Sequence, residues 1–453
     1  MRILIKNGTI VTSERTFKSD FLIEDGIISE ISEQIPEKDE CELIDASDRY
    51  IFPGGIDPHV HMHLSTPAGY SSDDFYTGSK AALHGGTTTL IDFVTPHKGQ
   101  SLVEAFSDRK KEAETSVIDY SFHVSPIDWH QNIENEIQTI LKEGVTSFKV
   151  YMAYKSSIGL NDDVLLKVMK AVSNAGGMIT VHAEMGDEID KLRDVFAEQG
   201  KLSPEYHALS RPNRTEADAV KKIIEFSEQT ECPVYIVHVS AQESVEHIRL
   251  AQNIGLKIFA ETCPQYLLLD DSKLKGTFKE TAKYMFSPVL RKKEDNDALW
   301  KGIADKTIQT IGTDHCPFTF EQKKQGINDF RKIPNGAGGV EHRMSLLFTY
   351  GVLKNQINLN EFVAISSANA AKIFGLYPKK GEIAIGSDAD IIIWNPDSEN
   401  IISAKTHHQN CDLNIYESVK IKGEPEFVIR NGKIVIKNNR LSLPETKGQF
   451  LKR

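Results

Sequence analysis

The chain is short of cysteine, of long apolar runs and of clustered charge, and each shortage excludes a class of protein. Its five cysteines (Cys41, Cys232, Cys263, Cys316, Cys411) are odd in number and scattered over 453 residues. They read as reduced thiols of a cytosolic protein, not as a disulfide frame, and no two have zinc-ribbon spacing. No stretch approaches the ~18 apolar residues of a membrane span. The opening Met-Arg-Ile-Leu-Ile-Lys-Asn-Gly has too short an apolar run for a signal peptide, so the expected location is the cytoplasm. The net charge of -11 is spread through mixed acidic and basic residues. There is no basic stripe or arm, which argues against nucleic acid or an anionic membrane as a partner. No glycine-rich phosphate loop follows the first strand signal, and neither a low-complexity segment nor a solenoid repeat is visible.

What is present fits a soluble globular chain, with 40% hydrophobic and 26% charged residues. The length allows one large domain plus a small one. Both ends carry short strands punctuated by turn dipeptides: Asn7-Gly8, Asp25-Gly26 and Asn431-Gly432, each suited to a tight hairpin. The segment Ile5 to Val11 resembles Ile429 to Val435, and Asp390 to Trp394 reads as a further strand. Short strands from either end could hardly form a stable sheet alone, so a small β domain assembled from both termini is expected. Between them strand and helix signals alternate. The candidate strands are Tyr50 to Pro53, Thr87 to Val94, Val117 to Ser125, Val145 to Tyr154, Met178 to Glu184, Val234 to Ser240, Lys257 to Thr262 and Gln309 to Thr313. Leu165, Val168, Met169 and Val172 follow the helical i, i+3, i+4, i+7 spacing, and Gly176-Gly177 closes that helix. Eight such alternations predict an α/β fold, a (β/α)8 barrel, with an open doubly wound sheet as the alternative. The expected division is 1–51 and 379–453 for the β-sandwich and 52–378 for the barrel.

In a parallel barrel, chemistry collects at the C-terminal strand ends. Those ends carry His59, His61 and His63 on the first strand, Lys149 on the fourth, His182 and Glu184 on the fifth, His238 on the sixth, and Asp314 and His315 on the eighth. A lone His-x-His is a weak signal, but five strand ends offering imidazole, carboxylate and amine point together to a divalent metal such as zinc. His59 and His61 flank Val60, so both side chains leave one face of the strand. Lys149 is the misfit. A buried ammonium is costly and repels a metal. The plain alternative is a strand-edge lysine reaching solvent. A deprotonated lysine can instead take up carbon dioxide, and the resulting carbamate is an anion able to bridge two metals.

The chain resembles the cyclic amidohydrolases of the dihydropyrimidinase/hydantoinase family. The matching pieces are Gly-Gly-Ile-Asp-Pro-His-Val-His, Ser-Phe-Lys-Val-Tyr-Met-Ala-Tyr, Val-His-Ala-Glu, Glu-Thr-Cys-Pro-Gln-Tyr, Ser-Pro-Val-Leu-Arg, Thr-Asp-His-Cys-Pro-Phe, Ile-Pro-Asn-Gly and Lys-Gly-Glu-Ile-Ala-Ile-Gly-Ser-Asp-Ala-Asp. They span essentially the whole chain. The resemblance implies a barrel with a β-sandwich, two Zn2+ per subunit, an N6-carboxylated Lys149 bridging them, and a homotetramer. It assigns His59, His61 and Asp314 to one metal and His182 and His238 to the other. It makes Tyr154 an oxyanion donor, Asp314 the proton carrier, and Ser287 and Asn335 the residues whose backbone groups hold a cyclic amide or imide. The implied reaction is attack by hydroxide on the ring carbonyl of a dihydropyrimidine or hydantoin, giving an N-carbamoyl amino acid. Cys316, although close to Asp314, is not needed as a nucleophile. His63 stands where dihydroorotases place an arginine, which argues against a carboxylated substrate. The loop from Leu64 to Tyr70 is expected beside the ring substituent. Glu184, His315 and His97 are left to structural or supporting roles. Allantoinase, or a non-catalytic assembly protein of the same family, remain as alternatives. A mononuclear deaminase would leave Lys149 without a role. Tyr154 and Lys149 differ in strand parity, so Tyr154 is expected to reach the site from a turn after the strand.

Overall fold

The structure, a computed structural model, describes residues 2–37, 41–443 and 447–453. Eight parallel strands form its centre: β1 (Gly55–Val60), β2 (Thr87–Val94), β3 (Asp119–Val124), β4 (Ser147–Tyr151), β5 (Met178–His182), β6 (Val234–Ile236), β7 (Ile258–Thr262) and β8 (Thr310–Ile311). They pair strictly in chain order, as short right-handed β-α-β connections require. A parallel bridge from Val60 to His315 brings β1 back to the chain leaving β8. The outer helices bury the stripes their spacing predicts. Helix Asp162–Asn174, capped by the Asn161 side chain, turns Leu165, Val168, Met169 and Val172 inward. It ends at Gly176, whose φ of +82° favours glycine. Among the described residues, no helix is long and apolar enough to cross a membrane.

Both chain ends build the second layer system. A four-stranded sheet runs in the order Ile27–Ser32, Asp20–Glu24, Arg2–Lys6, Cys41–Asp45. A seven-stranded sheet interleaves N-terminal strands Thr9–Val11, Thr16–Lys18 and Tyr50–Pro53 with C-terminal strands Ile391–Ile401, Lys420–Arg430, Lys433–Lys437 and Arg440–Leu441. Ile3, Ile5, Phe21, Ile23, Ile51, Ile391, Ile393 and Ile429 form one apolar core between the sheets. The sandwich therefore cannot form until both ends have met.

Two expectations are corrected. Tyr50–Pro53 is not the first barrel strand: it pairs with Ile391–Ile401 in the seven-stranded sheet, and β1 starts only at Gly55. The apolar run continues unbroken across the junction, so composition does not mark it. Gly54-Gly55 does, because a Cβ on Gly54 would lie 2.1 Å from Thr88 Oγ1. The dipeptide Asn7-Gly8 does not close a hairpin either. It carries the chain from one sheet to the other, with Asn7 at φ 65°. Asp25-Gly26 and Asn431-Gly432 are hairpin turns, with φ of 49°, 88°, 47° and 71°.

Barrel and sandwich are joined through a buried cation. Lys380, 2% exposed, pairs with Asp119 of β3 at 2.6 Å, Asp390 at 2.8 Å and Asp388 at 3.0 Å. Burial alone would lower its pKa, but the three carboxylates outweigh that and raise it. Replacing it by methionine leaves those carboxylates uncompensated, an error that costs about 3–5 kcal/mol for a broken buried pair. The Lys380→Met protein should therefore show a clearly lowered thermal unfolding midpoint by circular dichroism.

Candidate metal and amide-hydrolysis site

Two groups of imidazoles meet at the C-terminal mouth of the barrel. In the first, His59 and His61 from the end of β1 face Asp314 beyond β8. Their Nε2 atoms lie 3.2 and 3.1 Å from Asp314 Oδ1, and one ligand atom from each of the three falls within 4.8 Å of the others. Asp57 fixes this spacing from below: its carboxylate accepts from His59 N at 3.2 Å, Thr313 N at 3.2 Å and Thr313 Oγ1 at 2.6 Å, tying β1 to β8. In the second group, His182 Nδ1 and His238 Nε2 are 3.0 Å apart.

Each group is aimed by a carboxylate outside it. His59 donates through Nδ1 to Glu261 Oε1 of β7 at 2.7 Å. Among the described residues its buried Nε2 has no hydrogen-bond partner, and it faces Asp314 Oδ1 at 3.2 Å. His182 holds Glu184 through Nε2 at 2.7 Å, and Glu184 is itself ion-paired with buried Arg211. That arrangement leaves His182 Nδ1 as an acceptor facing another imidazole nitrogen. Imidazole nitrogens converging in this way suit a cation once they are deprotonated, and histidines fixed at the far nitrogen are the usual arrangement of metal ligands.

Lys149 lies among these groups at 1% exposure. Its Nζ sits 4.7 Å from the Phe93 ring centre and 5.1 Å from that of Tyr151. Among the described residues it has neither a hydrogen bond nor an ion pair. Burial pushes its ammonium down to about 8, against the opposing pull of Asp314 and Glu261. The histidines divide in the same field. Burial works against the His59 imidazolium, but Glu261 and Asp314 outweigh it and raise the group to about 9. Burial takes His61 down to about 4 and also lowers His182 and His238. Burial would raise Glu184, yet Arg211 and His182 bring it to about 2, so it stays an anion.

Tyr154 enters from a turn beyond β4, as strand parity requires. Its φ is 59°, and its carbonyl accepts from Ser157 N at 3.0 Å, Ile158 N at 3.2 Å and Gly159 N at 2.9 Å. The ring lies 5.3 Å from that of His182. Ser287 stands near its hydroxyl, and Ser287 Oγ accepts from Asn335 Nδ2 at 3.3 Å. His59, His61, Lys149, His182, His238 and Asp314 thus gather at one mouth, with Tyr154 beside them and Ser287 linked to Asn335. His238 and Asp314 also have left-handed backbones, at φ 42° and 53°, a conformation that costs energy outside glycine and clusters at functional sites.

The remaining polar residues have structural partners. His315 is held by Asp73 Oδ2 at 3.0 Å and by Gly339 N at 3.1 Å. His63 pairs with Glu112 at 2.6 Å and stacks on Tyr70 at 4.0 Å, at the base of the small hairpin Ser65–Thr66 and Gly69–Tyr70. His97 is exposed. Cys316 is buried, and burial pushes its thiol well up, which disfavours a thiolate. Sequence reasoning missed Glu261, although Glu-Thr-Cys-Pro stands at the end of a predicted strand. It also missed Asp57 and Arg211, which touch the site only through other side chains.

Comparison with known proteins agrees with this geometry. Residues 50–435 match the family described as "Amidohydrolase family". The chain is 43% identical to a D-hydantoinase of Geobacillus stearothermophilus, over all of this chain and 97% of that protein. It is 40% identical to a dihydropyrimidinase of Dictyostelium discoideum, over all of this chain and 90% of that one. A crystal structure of D-hydantoinase superposes with a TM-score of 0.98 at 43% identity, covering 100% of this chain and 99% of the other. If Glu261 aims His59, Glu261→Ala should weaken divalent-metal binding about 10- to 100-fold in a chelator-competition titration, and unchanged affinity would remove Glu261 from that role. The chain belongs to the amidohydrolase family and, within it, to the cyclic amidohydrolases of the dihydropyrimidinase/hydantoinase group.

Proposed function

We propose that this chain is a binuclear zinc hydrolase that opens six- or five-membered cyclic diamides, dihydropyrimidines such as dihydrouracil or hydantoins, to N-carbamoyl amino acids. The observation that carries the reading is Lys149: an amine at 1% exposure, with no ion pair among the described residues, set among two groups of converging imidazoles. As an ammonium it conflicts with that setting. As the amine, which its lowered pKa makes accessible near neutral pH, it can form a C–N bond to carbon dioxide and release one proton. The carbamate is then an anion where two cations are to be held. His59, His61 and Asp314 would hold one ion, His182 and His238 the other, with Lys149 between them. Residues 52–378 form the catalytic unit on this reading, with 1–51 and 379–453 supplying the sandwich.

Divalent metal bound there lowers the pKa of water and polarises the carbonyl to be attacked. The chain's own groups supply the rest. Asp314 accepts the proton of the attacking water and delivers it to the ring nitrogen as the C–N bond breaks. Tyr154 donates its hydroxyl to the developing oxyanion. Burial raises its pKa while the Arg211 guanidinium opposes that, so the phenol keeps the proton it must donate. Backbone groups at Ser287 and Asn335 hold the ring amide or imide. His63, occupied by Glu112, offers no fixed cation for a substrate carboxylate, and the loop at residues 64–70 stands beside the ring substituent. The family likeness also supports a homotetramer in the cytoplasm, which sizing with light scattering and cell fractionation would check.

A hydrolysis panel of dihydrouracil, dihydrothymine, hydantoin, 5-substituted hydantoins, allantoin and dihydroorotate, run on metal-quantified protein, tests the substrate. Turnover of dihydrouracil or hydantoins is expected. Turnover of allantoin or dihydroorotate alone would overturn the choice, and a protein without divalent ion or turnover after growth in zinc would favour the assembly reading. Lys149→Ala should lose metal and activity together, whereas full metal content with turnover would sink the bridging carbamate. Tyr154→Phe should lower kcat about 10²–10³-fold, with metal content unchanged.

A further inference from the structure

Lys323 belongs to neither imidazole group, yet it is buried to 1% exposure. It ends the short helix Phe320–Lys323 that follows the Asp314 segment. Its Nζ donates three hydrogen bonds, all to backbone carbonyls: Met285 O at 2.9 Å, Pro334 O at 2.6 Å and Gly336 O at 2.8 Å. Among the described residues no carboxylate pairs with it. Burial lowers the group to about 7, yet three acceptors match the three N–H bonds of an ammonium, one more than a neutral amine offers.

The positions of those carbonyls matter. Met285 lies two residues before Ser287, and Pro334 and Gly336 flank Asn335. Neither segment is helix or strand around these residues, so no regular ladder fixes one against the other. Two weaker links run beside the lysine: Gly336 N donates to Met285 O at 2.9 Å, and Asn335 Nδ2 to Ser287 Oγ at 3.3 Å. Gly336 sits at φ 145°, where a Cβ would fall 2.3 Å from Cys316 O, so the backbone is closely seated. A buried ammonium is costly unless its hydrogen bonds are satisfied, and an apolar side chain would fill the same space without that cost. The cation has a use that an apolar side chain lacks: it draws carbonyls of two irregular segments to one point.

We propose that Lys323 is a positioning residue for the substrate: its ammonium ties the segment bearing Ser287 to the segment bearing Asn335 and sets the spacing of the backbone groups that hold the ring. This rests on the reading of Ser287 and Asn335 as the substrate-holding residues. Lys323 touches neither substrate nor reacting atoms, and acts only through those two segments.

The test uses Lys323→Met and Lys323→Gln as full-length, metal-quantified proteins. Hydrogen–deuterium exchange is read over residues 284–288 and 333–337, and kinetics are measured on hydantoin and dihydrouracil. Both segments should exchange faster, and KM should rise about 10- to 100-fold while kcat and metal content change far less. Unchanged exchange would overturn the tie itself. Faster exchange with unchanged KM would keep the tie but remove Ser287 and Asn335 as substrate holders, and the positioning role with them. Loss of metal and kcat at constant KM would make Lys323 a support of the metal site and overturn the proposal. If neither neutral variant folds, Lys323→Arg keeps the charge but alters the reach to three carbonyls. It should raise KM more than it lowers kcat, and an unaltered KM there would equally overturn the proposal.

Discussion

A hydrogen bond to the far nitrogen of a buried histidine is the constraint on which this site depends. Glu261 holds His59 at Nδ1 and Glu184 holds His182 at Nε2, and each bond leaves the opposite nitrogen facing inward. Without those carboxylates the rings could rotate, and the convergence on the Asp314 and His238 sides would be lost. Removal from water does the rest. It lowers His61, His182 and His238 and presses the Lys149 ammonium toward its neutral amine. The mouth of the barrel therefore gathers imidazoles whose protonation burial disfavours, with His59 the exception because Glu261 and Asp314 raise it.

The fold supplies this by ending its strands early. β6 has three residues and β8 two, shorter than their apolar runs suggest. Beyond them His238 and Asp314 take left-handed backbones, and Tyr154 does the same beyond β4. A residue in that conformation leaves the alternation of the strand, so its side chain can be turned toward the axis whatever its parity. The same irregular backbone needs holding. Asp57 does this between β1 and the chain after β8, and Lys323 between the segments bearing Ser287 and Asn335.

Much of this was legible in the chain. Eight alternations of strand and helix gave a barrel, and histidines at the strand ends with one lysine among them marked its active mouth. What escaped notice has specific physical reasons. Asn7-Gly8 has the same turn chemistry as Asp25-Gly26, but one passes between sheets and the other within one, because a left-handed residue fits either path. Tyr50–Pro53 is as apolar as a barrel strand, since a sandwich core and a barrel core demand the same residues. Glu261 and Lys323 sit in motifs that name no role for them; their partners are a ring nitrogen and backbone carbonyls far away in the chain, which no local pattern encodes.

The sequence by itself determined the alternating architecture, the helix stops at glycine, and the set of groups able to hold a metal, because these follow from periodicity, backbone freedom and donor type within a short window. Only the tertiary structure decided which carboxylate meets each aimed histidine, that Lys149 is buried with no ion pair among the described residues, that Tyr154 stands beside His182, and that three carbonyls close on Lys323. Those properties depend on burial and on hydrogen bonds between distant segments, and both come into being only when the barrel closes and the two ends of the chain meet.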